Sequence, residues 1–178
     1  MDSKESGAYG AGMDIHPALR GAAWARSLPV GGPPVDSETL AALVAELADR
    51  PDLWAHLVRH DPRVRWYERV ALTGTVEVWL IGWCHGQHTP MHDHGGASGA
   101  VAVVGGVLQE TTLRPSRPPA SRLLPSGTLL EVPPAVIHRV GNGFPVPATS
   151  IHAYSPPELE MKTFEQALRA PALLAAAA

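Results

Sequence analysis

Two spacings of apolar residues divide the chain. Between residues 37 and 57 they recur three and four apart: Leu40, Leu43, Val44 and Leu47 form one stripe, and Leu53, Trp54 and Leu57 a second. That is helical spacing. Pro33-Pro34 precedes the first stripe, and Asp36 or Ser37 can cap it. Pro51 can open a second, short helix at its first turn. Both helices are expected to serve packing. From Trp66 the period shortens to two. Val70–Leu72 and Thr75–Ile81 read as strands around a turn at Thr73-Gly74, with Glu77 alternating against Val76 and Val78. Ala100–Val104 is a short apolar run, Gly105-Gly106 reads as a hairpin turn, and Val107–Thr112 as the returning strand. Arg114–Ala120 is proline-rich and reads as a loop. Leu129–Val132, Val136–Val140 and Thr149–Tyr154 complete the strand candidates. Pro156-Pro157 ends the sheet, and Glu158–Arg169 reads as a closing helix before an Ala-rich tail. Short strands separated by frequent turn signals predict a mostly β protein, a barrel or a sandwich.

A chain of 178 residues suits one domain with a sizeable core. The expected organisation is a polar, disordered tail over 1–12, a helical part over 13–65, a β-barrel over 66–157, and a helix and tail over 158–178. The 17 glycines and 18 prolines are spread along the chain, as many tight turns require. Net charge is −3, with no basic stripe to attract nucleic acid and no apolar run long enough to span a membrane. The N-terminus is polar and lacks the apolar core of a signal peptide. The single cysteine, Cys84, rules out an internal disulfide framework and fits a reducing cytoplasm. A cytoplasmic monomer or weak homo-oligomer with no nucleic-acid or membrane partner is expected.

The chemistry concentrates at histidines. His92-Asp93-His94 places two imidazoles at i and i+2, which on a strand share a face. His138, from a neighbouring strand, can complete one face of a metal ion. Gly86, His92, His94 and Gly106, followed by Gly127, Pro133, His138 and Asn142, resemble the two consecutive motifs of the cupins, with Ala135 where the second motif has glycine. That resemblance implies a small antiparallel barrel, a jelly roll, with metal in its mouth. It departs at one position: the glutamate of the first motif falls at Ser98 or Gly99, and spacing from Gly106 favours Gly99. Three neutral imidazoles then leave a divalent ion its full charge. Such a centre favours an anionic ligand such as a thiolate and keeps up to three positions open. Imidazole also suits zinc, nickel and copper, so the donors alone do not select iron. His85 and His88, beyond Pro90, are expected at the rim or in a loop. Asp93 should point away from its neighbours and hydrogen-bond the barrel, and Cys84 should be a buried thiol.

Ser150, His152 and Tyr154 alternate along one strand, so a hydroxyl can orient an imidazole and the imidazole a phenol. Taken with His92-Asp93-His94, the missing glutamate, His138 and the following Ser155-Pro156-Pro157, this stretch resembles the cysteine dioxygenases of the bacterial thiol dioxygenase group over roughly Trp66 to Pro157. The resemblance implies Fe(II) held by His92, His94 and His138, and a Ser150–His152–Tyr154 triad beside it. It also implies an arginine clamp for the substrate carboxylate, matched by Arg69, and a cis Ser155–Pro156 bond. Gly99 stands where mammalian relatives carry a cysteine cross-linked to the tyrosine, so no crosslink is expected. The implied reaction is oxidation of L-cysteine by O2 to the sulfinic acid. Three alternatives remain open: a 3-mercaptopropionate dioxygenase, which usually has glutamine at the clamp; a non-catalytic cupin that binds metal or a small molecule; and a metal-dependent isomerase or hydrolase, which would need a carboxylate that Ser98 and Gly99 do not supply.

Overall fold

The change of period at Trp66 marks the start of the main run of strands in a two-sheet β structure. The computed structural model describes residues 13–157 and 159–164; the expected tail over 1–12 lies outside them. Its strands are β1 (Asp14–Ile15), β2 (Trp66–Leu72), β3 (Glu77–Trp83), β4 (Ser98–Gly105), β5 (Val107–Arg114), β6 (Arg117–Pro125), β7 (Leu129–Val132), β8 (Ile137–Gly141) and β9 (Ala148–Ser155). Three helices, α1 (Ala23–Ser27), α2 (Ser37–Ala48) and α3 (Pro51–Trp54), precede β2. All strand pairs are antiparallel, in sheets ordered β1-β2-β3-β9-β4-β7 and β6-β5-β8. None of the described helices is long and apolar enough to cross a membrane.

The central strands are apolar in both phases because both faces of the larger sheet are covered. Val78, Leu80, Ala100, Ala102, Ile151 and Ala153 pack in one core with the α2 stripe of Leu40, Leu43, Val44 and Leu47. The opposite phase of the same strands supplies Trp83, Val101 and Val103, which join Leu108, Leu124 and Val140 of the smaller sheet in a second core. The inward phase of β3 and β9 also carries Glu77, Trp79, Ser150, His152 and Tyr154. Thus the apolar helix is the outer wall, and the chemistry lies between the sheets.

Helix α2 starts as expected, at Asp36, whose side chain accepts from the Thr39 amide at 2.9 Å. Two buried tryptophans tie down its backbone: Trp24 Nε1 donates to the Leu43 carbonyl and Trp54 Nε1 to that of Leu47. The residues read as a second helix form α3 followed by a 3-10 turn over Ala55–Leu57.

Three local expectations are corrected. Gly105-Gly106 does not close a hairpin: β4 pairs with β7 and β9, while β5 pairs with β6 and β8, so the chain changes sheet there. Arg114–Ala120 is largely strand. Pro118 and Pro119 fit because β6 is paired only with β5, and an edge strand tolerates missing amide donors. The C-terminal helix expected from Glu158 is absent over 159–164, which run extended across the histidine segment; 165–169 lie outside the described residues. Phe164 N–H donates to the Met91 carbonyl at 2.7 Å and Asp93 N–H to that of Lys162 at 3.1 Å. Tertiary pairing with a neighbouring segment overrode the local helical pattern.

Gly106 has φ +70°, and a Cβ there would stand 2.5 Å from the Pro147 carbonyl oxygen. Gly106→Ala is therefore expected to destabilise the fold by about 2 kcal/mol or more, because it combines left-handed backbone with a backbone clash. Urea denaturation checks this; a midpoint equal to that of the parent would contradict it.

Candidate metal centre

His138 stands on β8 with its side chain buried between the sheets. His92 and His94 do not lie on a regular strand as their spacing predicted. They sit in an irregular segment after β3, and His92 forms isolated bridges to His138 and Thr163. Two reciprocal backbone bonds of 2.8 Å join His92 and His138. A turn closed by Ala97 N–H on the His94 carbonyl swings His94 in beside them. The Asp93 carboxylate accepts from the amides of Gly95 and Lys162, both at 3.0 Å. Those bonds hold its pKa below the usual carboxylate range and pin the segment between its two histidines.

The three imidazoles are each about 3 % exposed or less. One ligand nitrogen from each lies within 4.8 Å of the others, and no other such group occurs among the described residues. His92 Nδ1–H can donate to the Pro90 carbonyl at 2.9 Å, and His138 Nδ1–H to Glu110 Oε1 at 2.7 Å. These partners reserve the protons for the outer nitrogens, which turns the Nε2 lone pairs inward. Nε2 of His94 and His138 are 3.4 Å apart. Metal–nitrogen bonds of about 2 Å at angles near tetrahedral place two such nitrogens roughly 3.3 Å apart. Burial, then the two neighbouring imidazoles, push His94 down to about 3, and burial also lowers His92. Three buried imidazole nitrogens gathered at this spacing fit a divalent cation. No carboxylate joins the three ligand nitrogens.

Beside the imidazoles runs a hydrogen-bonded relay. Trp83 Nε1–H donates to Ser150 Oγ at 2.9 Å, Ser150 Oγ lies 2.8 Å from His152 Nε2, and His152 Nδ1 lies 3.0 Å from Tyr154 Oη. In the tautomer with its proton on Nδ1, His152 accepts from Ser150 at Nε2 and donates to Tyr154 Oη, which leaves the phenolic proton free for a guest. Burial pushes His152 down to about 3, so the imidazole stays neutral. Burial, reinforced by Glu77, raises Tyr154 well above its ordinary value and keeps it a phenol. Gly99 pairs with Tyr154 across β4 and β9, and a Cβ at Gly99 would touch that ring at 3.2 Å.

A cavity of about 330 Å³ joins the imidazoles to Tyr154 and His152. Its wall includes Glu77, Trp79 and Arg65, and the extended C-terminal segment supplies Leu159 and Met161. Arg69 is not among the residues that line it. Arg69 occupies the register position opposite Trp79, with its guanidinium 5.4 Å from that ring and 3.9 Å from Glu77. Arg65 is half-buried, with its guanidinium 5.1 Å from the Trp83 ring; one Nη donates to the His88 carbonyl, and its buried Nε has no partner. His85 and His88 are exposed and do not line the cavity. Cys84 is only partly buried, not the enclosed thiol expected.

Sequence reasoning missed Arg65, Trp83 and Glu110. Glu110 had a signal: it shares the phase of Leu108 on β5, and a carboxylate in the core phase needs buried partners. Arg65 had none, because it precedes the first residue of β2.

The model of the family described as cysteine dioxygenase type I matches residues 30–167. No curated protein sequence matches the chain at a significant level. Among solved structures, the chain is similar to an uncharacterised conserved protein with a double-stranded β-helix domain from Klebsiella pneumoniae: 17 % identity, TM-score 0.54, covering 61 % of this chain and 91 % of that one. It is also similar to the protein TT1209 from Thermus thermophilus, at 20 % identity and TM-score 0.51, over 57 % and 92 % of the two chains. At these identities the likeness is one of fold, the cupin barrel.

Two outcomes are expected. His92→Ala should lower divalent-metal affinity by at least about tenfold, read by metal titration of the metal-free protein; unaltered affinity would remove His92 from the site. The unfolded chain takes up protons on His94 and His152 near their ordinary 6.5, whereas the folded protein does so only near 3. Stability from these groups is thus present above pH 6.5 and is lost as pH falls from 6.5 towards 3. The metal-free protein should melt at progressively lower temperature from about pH 7 to about pH 5, with a shallower slope in His152→Gln; equal slopes would contradict this.

Proposed function

Because the chain belongs to the cysteine dioxygenase type I family, we propose that it is a non-haem Fe(II) thiol dioxygenase that oxidises L-cysteine with O2 to cysteine sulfinic acid. The thiol takes up both oxygen atoms, RSH + O2 → RSO2H, so no further reductant is needed. The observation that carries the reading is the trio of buried, inward-facing imidazoles, joined by no carboxylate, opening into a small cavity beside a protonated phenol. His92, His94 and His138 would hold the ion. Fe(II), when bound, supplies the redox chemistry that joins oxygen to sulfur.

The chain's own groups bind and orient. Tyr154, its proton freed by the Trp83–Ser150–His152 relay, donates a hydrogen bond to negative charge developing on oxygen or sulfur. A guanidinium takes the substrate carboxylate in a two-pronged contact and fixes where the sulfur sits. Arg69 is the clamp to which the family resemblance points. Arg65 is a second donor: it lines the cavity, and burial disfavours its charge, a cost an incoming carboxylate offsets. Glu77 in the cavity wall offers a negative charge to the substrate ammonium. That supports L-cysteine over 3-mercaptopropionate, which has no amine. A cavity near 330 Å³, at the low end for ligand sites, suits a small thiol.

Anaerobic loading with Fe(II), then addition of L-cysteine and air, should yield sulfinate with matching O2 uptake; a protein carrying about one iron per chain that forms none would end this reading. Tyr154→Phe should keep its iron and turn over about ten- to a hundredfold more slowly. Arg69→Ala should raise KM for L-cysteine about tenfold or more but leave turnover of cysteamine, which lacks the carboxylate, nearly unchanged. If Arg65→Ala shows that pattern instead, the clamp is Arg65.

A further inference from the structure

The inner ring of the centre lacks a carboxylate, but one stands a single hydrogen bond outside it. Glu110, on β5, is 1 % exposed. Its Oε1 accepts from His138 Nδ1 at 2.7 Å, and its Oε2 accepts from Arg122 Nε at 2.6 Å. Glu110 faces Val140 across the β5–β8 ladder and Arg122 across the β5–β6 ladder, while His138 faces Thr112. Register alone therefore brings Glu110 and His138 to the same inner surface. The Arg122 side chain is 58 % exposed at the other end of the chain of bonds. Unlike Glu110, the hydrogen-bond partner of His92 Nδ1 is a neutral carbonyl, and His94 Nδ1 is buried without any partner. The three imidazoles are thus unequal in their outer contacts.

We propose that Glu110 is the positioning residue of the metal centre: through His138 it fixes the inward Nε2 lone pair and makes that imidazole the strongest donor of the three. A carboxylate at Nδ1–H holds the ring orientation and raises the basicity of the opposite nitrogen. Arg122 holds the carboxylate in place from the solvent side. The chain would thereby place one negative charge a single hydrogen bond outside the ligand set without using a carboxylate as a ligand. The proposal rests on the three-histidine metal reading but not on the thiol chemistry.

The test uses metal binding to the full-length protein, with neither thiol nor O2. Glu110→Gln keeps the shape and an acceptor oxygen but removes the charge. Its affinity for Co(II) should fall about tenfold or more, with a changed visible Co(II) spectrum, and Glu110→Asp should recover part of the loss. A folded Glu110→Gln protein with affinity within about twofold of the parent and the same spectrum would overturn the proposal. The second measurement needs no variant. In the Zn(II)-loaded parent with nitrogen-15-labelled histidine, the His138 Nδ1 proton should resonate downfield of the Nδ1 protons of His92 and His94; equal shifts would overturn it even if Glu110→Gln fails to fold. Loss of sulfinate formation with these metal results intact would sink the dioxygenase reading and leave this inference standing.

Discussion

Three imidazoles buried within 4.8 Å of one another cannot all carry charge, because imidazolium groups in a dry site repel one another. The rest of the site follows from that constraint. Two rings meet it through outer acceptors, the Pro90 carbonyl and the Glu110 carboxylate, which claim the Nδ1 protons. The resulting cluster of lone pairs is electrostatically unfavourable by itself and becomes favourable around a cation. His152 is kept neutral by the same dry surroundings, and Tyr154 is kept a phenol, so the site gathers donors and lone pairs with hardly any net charge of its own. Its formal charges stand at the margin, on Glu77, Arg65, Arg69 and Glu110.

The architecture delivers this arrangement by covering both faces of one sheet. With α2 packed on the outer phase of β3, β4 and β9, the inner phase is free to carry polar groups without sacrificing the core. The inner phase then divides by position along the strands. Trp83 and Val103 lie in the second apolar core, while Glu77, His152 and Tyr154 lie in the cavity wall. Trp83 serves both parts, because its ring is in the core and its Nε1–H begins the relay. The smaller sheet contributes His138 and Glu110 from adjacent strands. The extended 159–164 segment closes the wall and holds the His92–His94 stretch from outside.

The family resemblance therefore has a physical content in this chain. Where the cupin pattern usually has glutamate, Gly99 lets the Tyr154 ring approach β4 in van der Waals contact. One missing side chain removes an anionic ligand and makes room for a phenol. The carboxylate of Glu110 stands instead one hydrogen bond beyond His138.

Much of this was legible in the residues. Apolar period separated the helices from the strands. The phase of Ser150, His152 and Tyr154 put them on one strand face, and two spaced motifs identified the three histidines. These features are local or periodic, so they survive without coordinates. Three kinds of fact were decided only by tertiary structure. The sheet change at Gly106 looked like a hairpin, because a glycine pair reads alike whether the chain returns or crosses. The 159–164 segment read as part of a helix but found backbone partners at Met91 and Asp93, and long-range pairing outweighed weak intrinsic preference. Glu110, Arg65 and Trp83 reach the site from separate parts of the chain, through strand register and packing. Periodicity determines which side chains share a face; which faces meet is settled only when the sheets close on each other.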